Sequence, residues 1–180
     1  WGYFPAVSAG WTLSEEEFFA PLKHQVSSLK LRASWGQNGS LAALSNYPYS
    51  TDMALKGLYP FGTGNYYINA VAPSSMGNDK LKWETSEQIN IGLDARFLKD
   101  RLTVGMDYFN KKTKDLLVNG TTPSLIVGGT TSPMNAGNVS NKGWEFELGW
   151  RDHIGDFHYS LRANLPTLTN EVTYVDPSIT

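Results

Sequence analysis

Cysteine is absent from the 180 residues. That excludes disulfide frameworks and thiolate metal sites. Charge is also sparse, at 18%, against roughly 25% in an average soluble domain. Its two signs nearly cancel, with 15 Lys and Arg against 17 Asp and Glu. With no basic excess and no Lys/Arg-rich block, nucleic acid is not an expected partner. An extended acidic tail is missing as well. The chain lacks an initiating Met, and its opening WGYFPAV has no basic segment followed by an apolar one. It therefore reads as a mature or internal piece. Residues 57–78 carry no charge and are long enough to cross a bilayer as a helix. Pro60, Pro73 and several Gly and Asn exclude that helix, because it would lose backbone bonds and expose amides to lipid. A loop is expected there.

Catalytic patterns are lacking too. His24, His153 and His158 are the only histidines, and their spacing fits no common zinc motif. Glu145 and Glu147 lie about 7 Å apart by strand rise, a spacing that suits a glycosidase pair. Two residues on one strand do not flank a sugar, however, so wall charges are the expected role. No GxSxG motif occurs. The glycines at 36, 39, 62 and 64 have no following helix and Lys to cradle a phosphate. No enzyme activity, cofactor or metal is expected.

What the chain has is aromatic residues (13%) and a period of two. Leu29, Leu31, Ala33 and Trp35 alternate with Lys30, Arg32 and Ser34. Ile89, Ile91, Leu93, Ala95 and Phe97 alternate with Gln88, Asn90, Asp94 and Arg96. Leu102, Val104, Met106 and Tyr108 alternate with Thr103, Gly105 and Asp107. Trp144, Phe146, Leu148 and Trp150 alternate with Glu145, Glu147, Gly149 and Arg151. Residues 157–165 repeat the pattern, and Val7, Ala9, Trp11 and Leu13 show it more weakly. About six strands follow, near 4–13, 28–36, 85–97, 101–111, 142–151 and 156–166.

Their connections alternate in length. Residues 97–101 and 152–156 form tight turns. Residues 14–28 form a longer one, whose SEEEFF run has the look of a helical turn capped by Ser14. Between these lie long, Gly/Asn/Pro-rich links near 37–82 and 119–138. In an antiparallel meander all short turns then fall at one end and all long loops at the other. Outer-membrane barrels have that arrangement, with short periplasmic turns and long extracellular loops. Alternation alone fits a soluble sheet with one face on a core equally well. Aromatics near strand ends and charges at mid-strand favour the barrel.

In a membrane, the facing follows from energetics. A Lys or Arg turned to lipid at mid-bilayer costs about 2–4 kcal/mol. A one-residue slip of residues 29–35 would turn both Lys30 and Arg32 outward, at about 4–8 kcal/mol. The expected lipid-facing set is therefore Leu29, Leu31, Trp35, Ile89, Ile91, Leu93, Trp144, Phe146, Leu148 and Trp150. The expected lumen-facing set is Lys30, Arg32, Asp94, Arg96, Glu145, Glu147 and Arg162. In the long loop, Tyr47, Tyr49, Tyr59, Phe61, Tyr66 and Tyr67 are candidates for stacking on sugar faces or on a partner.

Four ordered runs carry a resemblance: FPAVSAGWTLSEEEFF from Phe4, LKLRASWGQNG from Leu29, LKWETSEQINIGLDARFLKDRLTVGMDYFNKKTKDLL from Leu81, and NAGNVSNKGWEFELGWRD from Asn135. Together they resemble the barrel of SusC/RagA-family TonB-linked outer-membrane proteins. The resemblance implies a plugged barrel in the bacterial outer membrane that imports oligosaccharides or peptides. It also implies a SusD-like surface lipoprotein and TonB as partners of the parent protein. Barrels of this kind have 22 strands, so about six strands make only part of the wall, and the plug is outside the chain. Two residues depart from the family's habit: His158, and Pro166, where the last strand is expected to end early or bulge. The expectation from another class is a secreted, soluble, β-rich glycan-binding module.

Overall fold

The computed structural model describes residues 1–180 except 43, 45, 61, 65, 66, 120–129, 131, 132, 178 and 180, with the backbone alone at 56 and 119. Eight strands follow in order: β1 (Ala6–Thr12), β2 (Val26–Ser40), β3 (Asp52–Pro60), β4 (Tyr67–Ser75), β5 (Glu84–Phe97), β6 (Leu102–Asn119), β7 (Pro133–Ile154) and β8 (Phe157–Val175). Six of them form one sheet in the order β1-β2-β5-β6-β7-β8, and β3 and β4 pair separately. Neighbours in the large sheet are neighbours in sequence once the β3–β4 insertion is set aside, as in an up-and-down wall.

The β1–β2 register places Val7 opposite Trp35, Ala9 opposite Ala33 and Trp11 opposite Leu31. The apolar positions of the two strands thus share one face, as alternation requires. After Thr12 the chain makes two short 3₁₀ turns, Leu13–Glu15 and Glu17–Leu22. Ser14 does not cap them. The ladder ends at the Thr12–Lys30 pair, so the first turn starts at Leu13 and Ser14 lies inside it, 1% exposed.

The β5–β6 connection is the expected tight turn. Lys99 and Asp100 have φ of 56° and 65°, and the Arg101 N–H donates to the Leu98 carbonyl at 3.4 Å. Leu98 before them is left-handed too, at φ 55°, and Lys99 and Asp100 take the two central positions of a type I′ turn, whose twist suits paired strands. The β7–β8 turn is tighter than expected, because β7 continues to Ile154 and leaves only Gly155 and Asp156 between strands. Gly155 has φ +60°, while Asp156 is not in the left-handed region, the pattern of a type II′ turn with Gly first. A β-branched residue there is strained. Gly155→Val is expected to destabilise the β7–β8 hairpin by about 1–2 kcal/mol, read as a lower urea midpoint, with Gly155→Asn losing less.

Other boundaries move outward. β2 runs to Ser40, β6 to Asn119, β7 starts at Pro133, and β8 continues to Val175. These ends are rich in Asn, Ser, Thr and Gly, whose hydrogen bonding holds the ladder where apolar alternation has faded. Pro166 does not end β8. Beside it, the Thr167 hydroxyl accepts from the Trp144 N–H at 3.0 Å and donates to the Trp144 carbonyl at 3.3 Å. β8 is also an edge strand, where a missing N–H is tolerated. About half of the 37–82 link is strand: β3 and β4 form an antiparallel hairpin pairing Leu55 with Val71 and Tyr59 with Ile68. β4 carries no charge and β3 only Asp52 and Lys56, so the sequence hides the alternation.

The described residues form two compact units. The first (residues 1–39, 86–113 and 139–172) contains most of the large sheet. In the second (residues 40–85, 114–138 and 173–180), Asn135 acts as a clamp. Its Oδ1 accepts from the Lys82 N–H at 2.8 Å, and its Nδ2 donates to the Lys82 and Asp115 carbonyls at 3.0 and 2.8 Å. The Asn138 Oδ1 accepts from the Asp115 N–H at 3.1 Å, where Asp115 adopts φ 56°.

Little of either unit is a core. Among the described residues the buried hydrophobics are Phe19, Ala95, Leu117 and Ala136. The apolar stripe of the sheet lies open instead: Ile91 is 53% exposed, Leu148 50% and Leu161 67%.

Candidate functional site: the polar face of the sheet

Arg32 on β2 organises the polar face of the first unit. Its Nε and Nη2 donate to Asp94 Oδ2 and Oδ1 on β5 at 2.7 and 2.9 Å. Nη2 also reaches Asp107 Oδ2 on β6 at 3.0 Å. The planar guanidinium fork suits this geometry: one bidentate pair plus one further charge-assisted bond. The side chain crosses β5 at Gly92. A Cβ on Gly92 would stand 2.8 Å from the Arg32 Cζ and would collide with the Asp107 carboxylate. One cation thus ties three strands over a residue that has no side chain.

The same face continues across β6, β7 and β8. Ser34 accepts from Asn90 Nδ2 at 3.3 Å, and Ser86 and Thr113 share a hydrogen bond of 3.1 Å. Lys30, Asp94, Arg96 and Glu147 border one shallow depression, and Arg96, Glu147 and Arg162 border a second. Of the charged residues singled out from the sequence, Lys30, Arg32, Asp94, Arg96, Glu147 and Arg162 are therefore brought onto common ground. Glu145 is exposed one alternation from Glu147 on the same strand. Alternation marked Asp107 as polar but not as a partner of Arg32. Finding that contact requires the β2–β5–β6 register, which a 43-residue link hides. The nearest sequence signal is Gly92 within an apolar-polar run.

The opposite face is apolar. Val7, Ala33, Trp35, Ile89 and Ile91 border one almost wholly nonpolar patch. Further along, Trp144 lies 5.0 Å from Tyr108 and stacks on Phe146 at 6.2 Å, centroid to centroid. Two indoles on this face bond to carboxylates: Trp11 Nε1 donates to Glu16 at 2.8 Å and Trp35 Nε1 to Glu87 at 3.0 Å. Leu29, Leu93 and Trp150 are half-buried, while Leu31, Phe146 and Leu148 are exposed.

The loop aromatics do not gather in one place. Tyr47 and Tyr49 meet edge to face at 6.1 Å. Tyr59 pairs with Ile68, and Tyr67 pairs with Pro60, so the pleat sets Tyr59 and Tyr67 on opposite sides of the hairpin. All four are more than half exposed. Phe61 and Tyr66 lie outside the described residues. His153 and His158 come together with ring centroids 5.4 Å apart, and no group of three metal-ligating side chains forms among the described residues.

An antiparallel meander with one open apolar face and one ion-paired face is a section of barrel wall. The sequence matches the family described as TonB dependent receptor-like, beta-barrel, over residues 1–180, and the chain belongs to that family. It is 34% identical to the TonB-dependent receptor SusC of Bacteroides thetaiotaomicron over 180 residues. It is 37% identical to the TonB-dependent receptor P39 of Formosa agariphila over 173 residues. Each alignment covers 96% of this chain but only 17% and 16% of the relatives. The fold is similar to that in the structure of the RagAB peptide transporter, with a TM-score of 0.81 at 23% identity over 97% of this chain and 18% of that one. The chain is thus a segment of a TonB-dependent receptor-like barrel, about one sixth as long as the relatives it matches, and the barrel is not closed within it.

Proposed function

We propose that this segment forms lumen wall and surface loops of an outer-membrane importer that takes up oligosaccharides or peptides. In this reading the parent protein draws energy through TonB and works with a SusD-like surface lipoprotein. One observation carries the reading: the sheet leaves its apolar stripe open to solvent while it satisfies Arg32 internally on the opposite face. A secreted module would have to bury that stripe in a dry core. Here lipid covers it. The apolar set from Leu29 through Trp150 meets the bilayer, and Lys30, Arg32, Asp94, Arg96, Glu145, Glu147 and Arg162 face the lumen. The short turns lie on the periplasmic side. The long links lie outside the cell, where Tyr47, Tyr49, Tyr59 and Tyr67 contact substrate or partner. The wall binds and guides, and the segment performs no bond-breaking chemistry.

Two measurements on the parent protein test this. Spin labels at Ile91→Cys and Asn90→Cys, one residue apart, are expected to differ sharply in oxygen accessibility in the bilayer, with the Ile91 position high. Equal accessibility would reject the facing. Deleting the parent protein is expected to abolish uptake of a labelled oligosaccharide or peptide. Undiminished uptake of both would reject the transport role.

A further inference from the structure

His153 and His158 stand at an odd spacing, which along one strand would set them on opposite sides. The β7–β8 turn changes that. Only Gly155 and Asp156 lie between the strands, so Ile154 meets Phe157 and His153 meets His158. In such a hairpin the pair beside the turn exchanges backbone bonds. The next pair is a non-hydrogen-bonded one, where side chains come closest. The backbone donors of β7 agree. Arg151 N–H donates to the Arg101 carbonyl at 2.8 Å and His153 N–H to Asp152 Oδ1 at 2.9 Å, so neither bonds to β8.

The two imidazole rings lie 5.4 Å apart between centres, with their planes inclined at 47°. Metal–nitrogen bonds of about 2.0–2.1 Å at a tetrahedral angle put the centres of two imidazoles roughly 5 Å apart. The spacing is that of a chelate, reached without moving either strand. Among the described residues, neither imidazole takes part in a side-chain hydrogen bond or an ion pair. Both side chains are exposed, so water can complete the coordination of an ion that has only two protein donors. The charges beside the pair balance. Asp156 sits in the turn, Arg151 is the preceding residue on the His153 side of β7, and Asp152 is taken up by Arg101 at 3.4 Å.

We propose that His153 and His158 form a two-imidazole site for a divalent ion of the late first-row transition metals, and that the bound ion clips the closed end of the β7–β8 hairpin. Imidazole suits zinc, copper and nickel, whereas magnesium and calcium take oxygen ligands. Once one ring holds the ion, the other meets it at high effective concentration. The site depends neither on the side of the membrane that the turn faces nor on the transport reading, because the hairpin alone brings the two rings together.

The test titrates Cu²⁺ into the full-length parent protein, purified in detergent without a histidine tag, and reads the bound ion by electron paramagnetic resonance. A signal split by two ring nitrogens is expected. His153→Gln and His158→Gln are each expected to remove that signal and to weaken binding at the site at least tenfold, while the folded barrel keeps its heat-modifiable gel mobility. His24→Gln, at the other short turn, is expected to leave the signal unchanged. Zn²⁺ is expected to displace the Cu²⁺, and Mg²⁺ at the same concentration is not. A spectrum without two nitrogens in the unsubstituted protein overturns the proposal before any substitution is made. So does a two-nitrogen signal that survives both glutamine variants, which would place the ion elsewhere in the parent protein. Displacement by Mg²⁺ as readily as by Zn²⁺ would show carboxylates, not imidazoles, holding the ion, and overturns it as well.

Discussion

Ile91→Arg in the parent protein is expected to destabilise the folded wall by about 2–4 kcal/mol, the cost of a mid-bilayer arginine on a lipid face. Ile91 lies in the middle of β5, 53% exposed, within the nonpolar patch that Val7, Trp35 and Ile89 share. The matched control is Asn90→Arg, one residue away on the face that carries Ser34 and Arg32. That change is expected to cost about 1 kcal/mol, the loss of the hydrogen bonds that Asn90 makes with Ser34 and Gln88. Equilibrium unfolding from lipid vesicles in guanidinium gives both values. Similar losses at the two positions would mean that the sheet does not separate lipid from water.

Gly92→Val is expected to cost about 2 kcal/mol, although it adds only apolar atoms. Its Cβ would occupy the path along which Arg32 reaches Asp107, so the guanidinium must leave Asp94, Asp107 or both. The side chains involved are 40%, 48% and 33% exposed, so the fork is worth less than a buried pair and more than a fully solvated one, about 1–2 kcal/mol. A double-mutant cycle separates the causes. With Arg32→Met already in place, Gly92→Val is expected to lose about 1 kcal/mol less. A cost unchanged by Arg32→Met would show that the valine is rejected by Asp107 or the backbone and not by the displaced arginine.

The strands and the separation of their apolar and polar sides were legible because a period of two survives wherever one side is apolar and the other polar. Residues 29–35 and 144–150 are clear examples, and the β1–β2 register matches the faces read from the letters. Legibility faded where both sides are polar or both uncharged. The distal half of β7 begins PMNAGNVSN, and Asn135 and Asn138 keep it in place through amide bonds that leave no hydropathy signal. The β3–β4 hairpin reads as loop because Gly, Pro and Asn are frequent and its two charges, Asp52 and Lys56, are too few to mark a polar side. Ser14 looked like a cap by residue type, but one residue of register moved it into the turn. The partners of Arg32 depend on which strands become neighbours across long links, and composition holds no record of that.

The connections also set an order of assembly. β5 and β6 are joined by a short turn, and β7 and β8 by two residues. β2 and β5 must find each other across about 43 residues, whose closure costs on the order of 3 kcal/mol in chain entropy. The β3–β4 hairpin shortens the flexible part of that link by only about half, which recovers roughly 0.6 kcal/mol. Little in the link specifies register, and a slip by one residue would exchange the two faces of every strand that follows. The Arg32 fork does specify it, because only the native alignment brings Asp94 and Asp107 together under one guanidinium. The β2–β5 seam is then the slow, proofread joint of the wall, and a misregistered hairpin meets it with both carboxylates unneutralised.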